Sequence, residues 1–159
     1  MCDTGPVLHL SEAGVLYLLE WLGEVQVPPA VDAEVAQHDP DWRRPRWLRV
    51  TPLVSPPDTD ALAWQQAGLL GAGESEAIAL ACQVGAEWLL TDDAAARLFA
   101  ESLGLEAHGS LGVVLWAAAV GRLNRIQAEA ALNGLVGSSL WVSAQVMAEA
   151  RAALGRLFP

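Results

Sequence analysis

Short apolar runs alternate along the chain with longer stretches whose apolar positions recur at helical spacing, and this predicts an α/β fold on a parallel sheet. A first strand ends at Asp3, and Ser11 can cap a helix running to about Leu22. Glu24 to Val27 reads as the second strand. Pro28 and Pro29 then suit the first turn of a helix carrying Val31, Glu34 and Val35, where a missing N–H costs nothing. Asp39 to Pro57 is rich in Pro, Trp and Arg and reads as a loop with one strand, Trp47 to Val54. Asp58 or Asp60 caps a helix that ends near Gly68. Gly73 opens another, through Ala81 to Val84, closed by Gly85. Trp88 to Thr91 is a short buried strand, and Asp92 or Asp93 caps the helix Ala94 to Leu103, closed by Gly104. Leu105 to Ala107 is the last strand. Gly109-Ser110-Leu111-Gly112 leads into an apolar helix, Val113 to Val120, and helices at about Gln127 to Leu135 and Ser143 to Leu157 follow. The sequence contains no repeat or low-complexity linker, and 159 residues favour one domain, 1–159.

Composition narrows the class. Hydrophobic residues make up 53%, which argues against disorder. No apolar run reaches the ~18 residues a membrane span requires, so no membrane association is expected. No basic segment precedes an apolar one, so no secretion signal is read, and Cys2 and Cys82 lack metal-ligand spacing. The expectation is a cytoplasmic protein with two reduced thiols. The net charge is −10 and every basic residue is an arginine, a balance that argues against nucleic-acid binding because phosphate contacts supply most of that affinity. Clustered carboxylates around a divalent cation would reverse the local field. Four of the nine arginines also fall between Arg43 and Arg49.

Three acidic motifs carry the candidate chemistry: Asp3-Thr4-Gly5-Pro6, Gly73-Glu74-Ser75-Glu76-Ala77 and Thr91-Asp92-Asp93. In open parallel sheets the ligand site lies beyond the carboxyl ends of the strands. Asp3, Glu34, Asp92, Asp93 and Ser110 all follow strands and belong to that edge. Glu74 and Glu76 open a helix that precedes a strand, and they join only if that helix begins against the same edge. Residues two apart in a helix differ by about 200° around its axis, so both glutamates face one cleft only if Glu74 lies in an irregular first turn. Converging carboxylates would raise each other's pKa, and Mg²⁺ or Mn²⁺, which prefer hard oxygen ligands, would relieve that repulsion. Such an ion can activate water against a phosphodiester.

These residues, with Val7-Leu8, Val27-Pro28-Pro29-Ala30-Val31, Ile78-Ala79-Leu80-Ala81, Leu89-Leu90, Arg97 and Gly109-Ser110-Leu111-Gly112-Val113, make the chain resemble the PIN-domain family, in its toxin-like ribonuclease branch. The resemblance implies a three-layer α/β/α fold with a parallel sheet of about five strands. It also implies a Mg²⁺- or Mn²⁺-dependent endoribonuclease acting on RNA, paired with a small antitoxin and forming a homodimer. By motif it makes Asp3, Glu76 and Asp92 the central metal ligands, with Glu34, Glu74 and Asp93 as supporting acids. Thr4 and Ser110 would orient a ligand water or a phosphate, and Arg97 would contact substrate. Only Met1 and Cys2 precede Asp3, so the first strand is expected to be abbreviated or the true start to lie upstream. Gly5 stands where Ser is common in the family, and Ser110 where Thr is.

Each motif also has a plainer reading. Glu74 and Glu76 complement a helix dipole, and Asp92 and Asp93 form an N-cap pair. Trp42-Arg43-Arg44-Pro45-Arg46-Trp47-Leu48-Arg49 either grips a phosphate backbone and stacks a base, or packs its tryptophans inward while its arginines offset acids such as Asp39 and Asp41. His9, His38 and His108 have no ligand spacing and read as structural or surface residues. The remaining tryptophans, including Trp88 and Trp116, read as core. Two other functions use the same acids: a PIN-like module that binds RNA or protein without effective catalysis, and a phosphohydrolase acting on a small phosphate ester.

Overall fold

Residues 1–3 sit at the middle of the sheet although they form only an isolated bridge. In the computed structural model, which describes residues 1–158, Cys2 pairs in parallel with Leu90. The Cys2 amide donates to the Gln26 carbonyl at 3.0 Å, and the Asp3 amide to the Leu90 carbonyl at 2.9 Å. The initial segment thereby joins two parallel pairs. On one side β1 (Gln26–Val27) pairs with β2 (Arg49–Val50), and on the other β3 (Trp88–Leu90) pairs with β4 (Glu106–His108). Numbered along the chain, the five segments lie in the order 3-2-1-4-5. Strand order therefore reverses between residues 1–3 and β3, and the crevice of an open α/β sheet forms beyond the carboxyl ends at such a reversal. Asp3 ends one of the two segments and Thr91-Asp92 follows the other.

The ladders are shorter than the apolar pattern predicts. The strand expected over Trp47 to Val54 contracts to Arg49–Val50; the Thr51 amide still donates to the Val27 carbonyl at 2.9 Å, and Pro52 beyond it cannot donate to a ladder. The first helix also differs. Asp3 caps α1 (Thr4–Glu12), accepting from the Thr4 amide at 2.6 Å. Ser11, expected as a cap, lies in the last turn of α1. Gly14 follows at φ 70°, a left-handed conformation that stops the helix, and a separate short α2 (Leu18–Leu22) comes after it.

The other helices follow their signals, except that the helix expected to be capped by Asp58 or Asp60 opens at Pro57 with both acids in its first turn. These helices are α3 (Pro29–His38), α4 (Pro57–Gln66), α5 (Ala72–Val84), α6 (Ala94–Ser102), α7 (Ser110–Ala119), α8 (Arg125–Val136) and α9 (Ala144–Leu157). Pro29 opens α3, Gly85 closes α5 in the left-handed region, and Asp93, Asn124 and Ser143 cap α6, α8 and α9 through their side chains. One apolar core runs through the molecule, with Val7 and Leu10 of α1, Val31 and Val35 of α3, Ile78 and Leu80 of α5, and Val113 and Val114 of α7 buried in it. Six tryptophans pack partly buried against this core. Trp141, read from sequence as core, is instead 85% exposed. Both cysteine thiols are free, Cys2 buried and Cys82 exposed. Among the described residues no helix is long and apolar enough to cross a membrane.

Candidate functional site

The reversal of strand order puts Asp3 and Asp92 at neighbouring strand ends, and three further acids close around them. A cavity of about 790 Å³ is lined by the carboxylates of Asp3, Glu34, Glu74, Asp92 and Asp93, together with Thr4, His9, Gly71 and Gly73. Its far wall is the segment from Ser139 to Ser143 with Val146. Among the described residues no arginine lines it.

Asp3 is the most deeply set acid, at 4% exposure. The Thr4 amide donates to its Oδ1 at 2.6 Å and the Thr91 hydroxyl to its Oδ2 at 3.0 Å. Burial raises its carboxyl from the ordinary 3.8 to about 7. The two hydrogen bonds oppose that rise, and the charges of Glu74 and Glu34 add to it. Glu34, in the second turn of α3, accepts from the Thr4 hydroxyl and from the Gly73 amide, the latter at 2.8 Å. Gly73 is required there by space: a Cβ would collide with the Glu34 carboxylate and come within 2.8 Å of Thr4 Oγ1. Glu74 turns back over the first turn of α5 to accept from the Gly71 amide at 2.6 Å.

Asp92 and Asp93 divide the two roles left open by sequence. Asp93 is the cap, accepting from the Ala96 amide at 2.8 Å. Asp92 reaches the start of α7, where the Ser110 amide donates at 2.7 Å and the Ser110 hydroxyl at 2.6 Å. His9 Nδ1 lies 2.8 Å from Asp92 Oδ2, which assigns the proton to Nδ1. Sequence reading passed over His9: its partner is 83 positions away, and no local spacing signals a contact of that range.

Several expected site residues lie elsewhere. Glu76 faces the opposite side of α5 from Glu74, as the 200° separation requires for a regular helix. Its carboxylate accepts from the Ala30 amide at 3.2 Å, at the start of α3, and borders a separate cavity of about 400 Å³ with Pro29, Asp58 and Gln65. Arg97 supports the site from behind, donating to the carbonyls of Ala107 at 2.9 Å and Thr91 at 3.3 Å. The arginine cluster stands apart from the cavity. Arg44 pairs with Asp32 at 2.6 Å and Arg49 with Glu24 at 2.9 Å, while Arg43 donates to the Trp42 carbonyl and Arg46 is exposed. Trp42 and Trp47 pack against the core. This is the inward-packed arrangement, with Asp32 and Glu24 as the offsetting acids in place of Asp39 and Asp41.

The acids supply only hard oxygen donors, and Asp3 is a buried carboxyl with two acids beside it. That chemistry fits a divalent cation. Each carboxylate is at the same time held by a protein donor. Among the described residues no three His, Cys, Asp or Glu side chains converge into a ready-made ligand group.

No curated protein and no solved structure matches the chain. The family profile described as a PIN domain, a fold generally associated with nucleases, matches residues 1–156. The chain belongs to the PIN-domain family.

Proposed function

We propose that the protein is a metal-dependent endoribonuclease that hydrolyses RNA phosphodiesters. The observation that carries this is the five-carboxylate cavity at the strand-order reversal, with Asp3 raised to about 7 by burial and by its acidic neighbours. Asp3, Glu34 and Asp92 would hold Mg²⁺ or Mn²⁺, with Glu74 and Asp93 at the margin. When bound, the ion supplies a water activated at neutral pH and charge stabilisation at the phosphate.

The chain's own residues prepare these acids. Thr91 and the Thr4 amide fix the two oxygens of Asp3, the Thr4 hydroxyl and Gly73 amide fix Glu34, and Ser110 with His9 fixes Asp92. Glu76 is left out of the ligand set because it lies in another cavity. Resemblance to the toxin branch extends the proposal to a toxin held by a small antitoxin, working as a homodimer in the cytoplasm.

The test is cleavage of a panel of single-stranded and structured RNAs with Mn²⁺ or Mg²⁺, beside EDTA and a folded Asp3→Ala/Asp92→Ala variant. Metal-dependent cleavage lost in the variant is expected. Absence of cleavage by a folded wild type with saturating metal overturns the proposal. The charge of −10 and the lack of arginine in the lining favour one second reading, hydrolysis of a small phosphate ester, which the same preparation tests with a chromogenic phosphodiester.

A further inference from the structure

Trp141 is a large apolar side chain held in water beside the acidic cavity. It is 85% exposed, against the strong tendency of tryptophan to be well covered. Its position is nevertheless fixed by the segment that carries it. The Ser139 amide and hydroxyl donate to Glu12 of α1 at 2.6 and 2.8 Å. The Ser138 hydroxyl donates to the Leu135 carbonyl at 2.7 Å and accepts from the Leu140 amide at 3.1 Å. Leu140 is buried in the core, and Ser143 caps α9. The tryptophan is thus displayed from an anchored loop, and it shares the cavity lining with Asp3, Glu34 and Asp92.

The rest of the cavity poses a problem for an RNA substrate. Its lining is acidic: Arg97 behind it is turned to the Ala107 and Thr91 carbonyls, and Arg44 and Arg49 are paired with Asp32 and Glu24. Beyond what a bound cation supplies at the phosphate, affinity then falls to contacts that are indifferent to charge. Stacking of a base on an aromatic face is such a contact, and it needs a base free of its duplex partner.

We propose that Trp141 is the stacking platform for an unpaired base of the RNA strand, placing the adjoining phosphodiester over the carboxylates. The inference rests on the ribonuclease reading and supplies the specificity for single-stranded substrate that this reading leaves open. Trp141 is a binding residue and takes no part in the bond-breaking step.

The experiment pairs cleavage with binding. Wild type, Trp141→Ala and Trp141→Phe are compared by circular dichroism, by KM and kcat on a short single-stranded RNA with Mn²⁺, and by anisotropy of a labelled copy of that RNA in EDTA. The alanine variant is expected to raise KM or the dissociation constant about 5- to 150-fold, the range corresponding to one lost stacked base, and to lower kcat/KM by at least the same factor. Phenylalanine should restore most of the loss. An RNA carrying one abasic position at the stacked base should weaken wild type by a similar factor and the alanine variant far less. Cleavage by wild type with KM unchanged in the alanine variant overturns the proposal and leaves the nuclease reading intact. Binding weakened by the substitution in a wild type that never cleaves supports the platform and removes the nuclease reading. Loss of self-association in the alanine variant with RNA affinity unchanged overturns the proposal and assigns Trp141 to a protein contact.

Discussion

Replacing Asp3 by Asn should make the metal-free protein more stable at pH 8 while removing its response to divalent cations. The carboxyl is raised from 3.8 to about 7 in the folded protein, mainly by burial. Between those two values the unfolded chain has released the proton and the folded chain still holds it. Stability contributed by the group is therefore fully present below pH 3.8, falls as pH rises and levels off above about pH 7. At about 1.36 kcal/mol per pH unit, the accumulated cost at pH 8 approaches about 4 kcal/mol. Asparagine is nearly isosteric. Its oxygen can accept from the Thr4 amide and its NH₂ can donate to the Thr91 hydroxyl oxygen, so both contacts of Asp3 have a neutral counterpart.

The assay is urea unfolding of wild type and Asp3→Asn at pH 4, 6 and 8, in EDTA and in Mn²⁺. The difference between the two proteins isolates Asp3 from the other acids that titrate in the same range. In EDTA the variant should gain on wild type from pH 4 to pH 8 by a few kcal/mol. In Mn²⁺ wild type should recover, by about 2.7 kcal/mol at a hundredfold excess over its dissociation constant, and the variant should not. A difference independent of pH, or equal stabilisation of both proteins by Mn²⁺, would refute the reasoning.

Four further outcomes are expected. Gly73→Ala should cut RNA cleavage at least tenfold and lower stability by about 1–3 kcal/mol, since its Cβ would displace Glu34 and crowd Thr4; kinetics and thermal melting report both. Glu34→Gln should reduce turnover by orders of magnitude. Glu76→Ala, assayed beside it, should leave turnover within about twofold and cost about 0.5–2 kcal/mol as a lost cap on α3, and a large loss of turnover in the latter would return Glu76 to the site. Ser75→Ala should be neutral or stabilising by up to about 1 kcal/mol in chemical unfolding, because the Ser75 hydroxyl is buried without a partner. RNA binding should weaken only slightly between 50 and 200 mM salt; a steep dependence, reduced in Arg43→Ala/Arg46→Ala, would show that phosphate contacts carry the affinity after all.

The parts of this protein written in local chemistry were legible in the chain. The Asp93 cap, Gly85 closing α5 and Pro29 opening α3 act within a turn or two, so neighbouring residues suffice to read them, whereas Ser11 and Asp58 or Asp60, read as caps, lie inside α1 and α4. The Asp3 and Asp92 motifs were legible for a related reason, since parallel strands ordered around a reversal bring their carboxyl ends together whatever the intervening sequence. Strand lengths were less so: a ladder needs free donors, and Pro52, two positions past β2, has none. Three features belonged to tertiary structure alone. The choice between Glu74 and Glu76 depended on how α5 is rotated against α3, which the 200° offset leaves open until the packing is known. His9 joined Asp92 across 83 positions. Trp141 was placed by Glu12 holding Ser139 across 127 positions, so an aromatic read from sequence as core is instead an exposed part of the cavity lining. Sequence thus determined which residue types were present and which strand ends they follow. Only the packed fold determined which of them face one another, because orientation is set by long-range burial that no short window of sequence encodes.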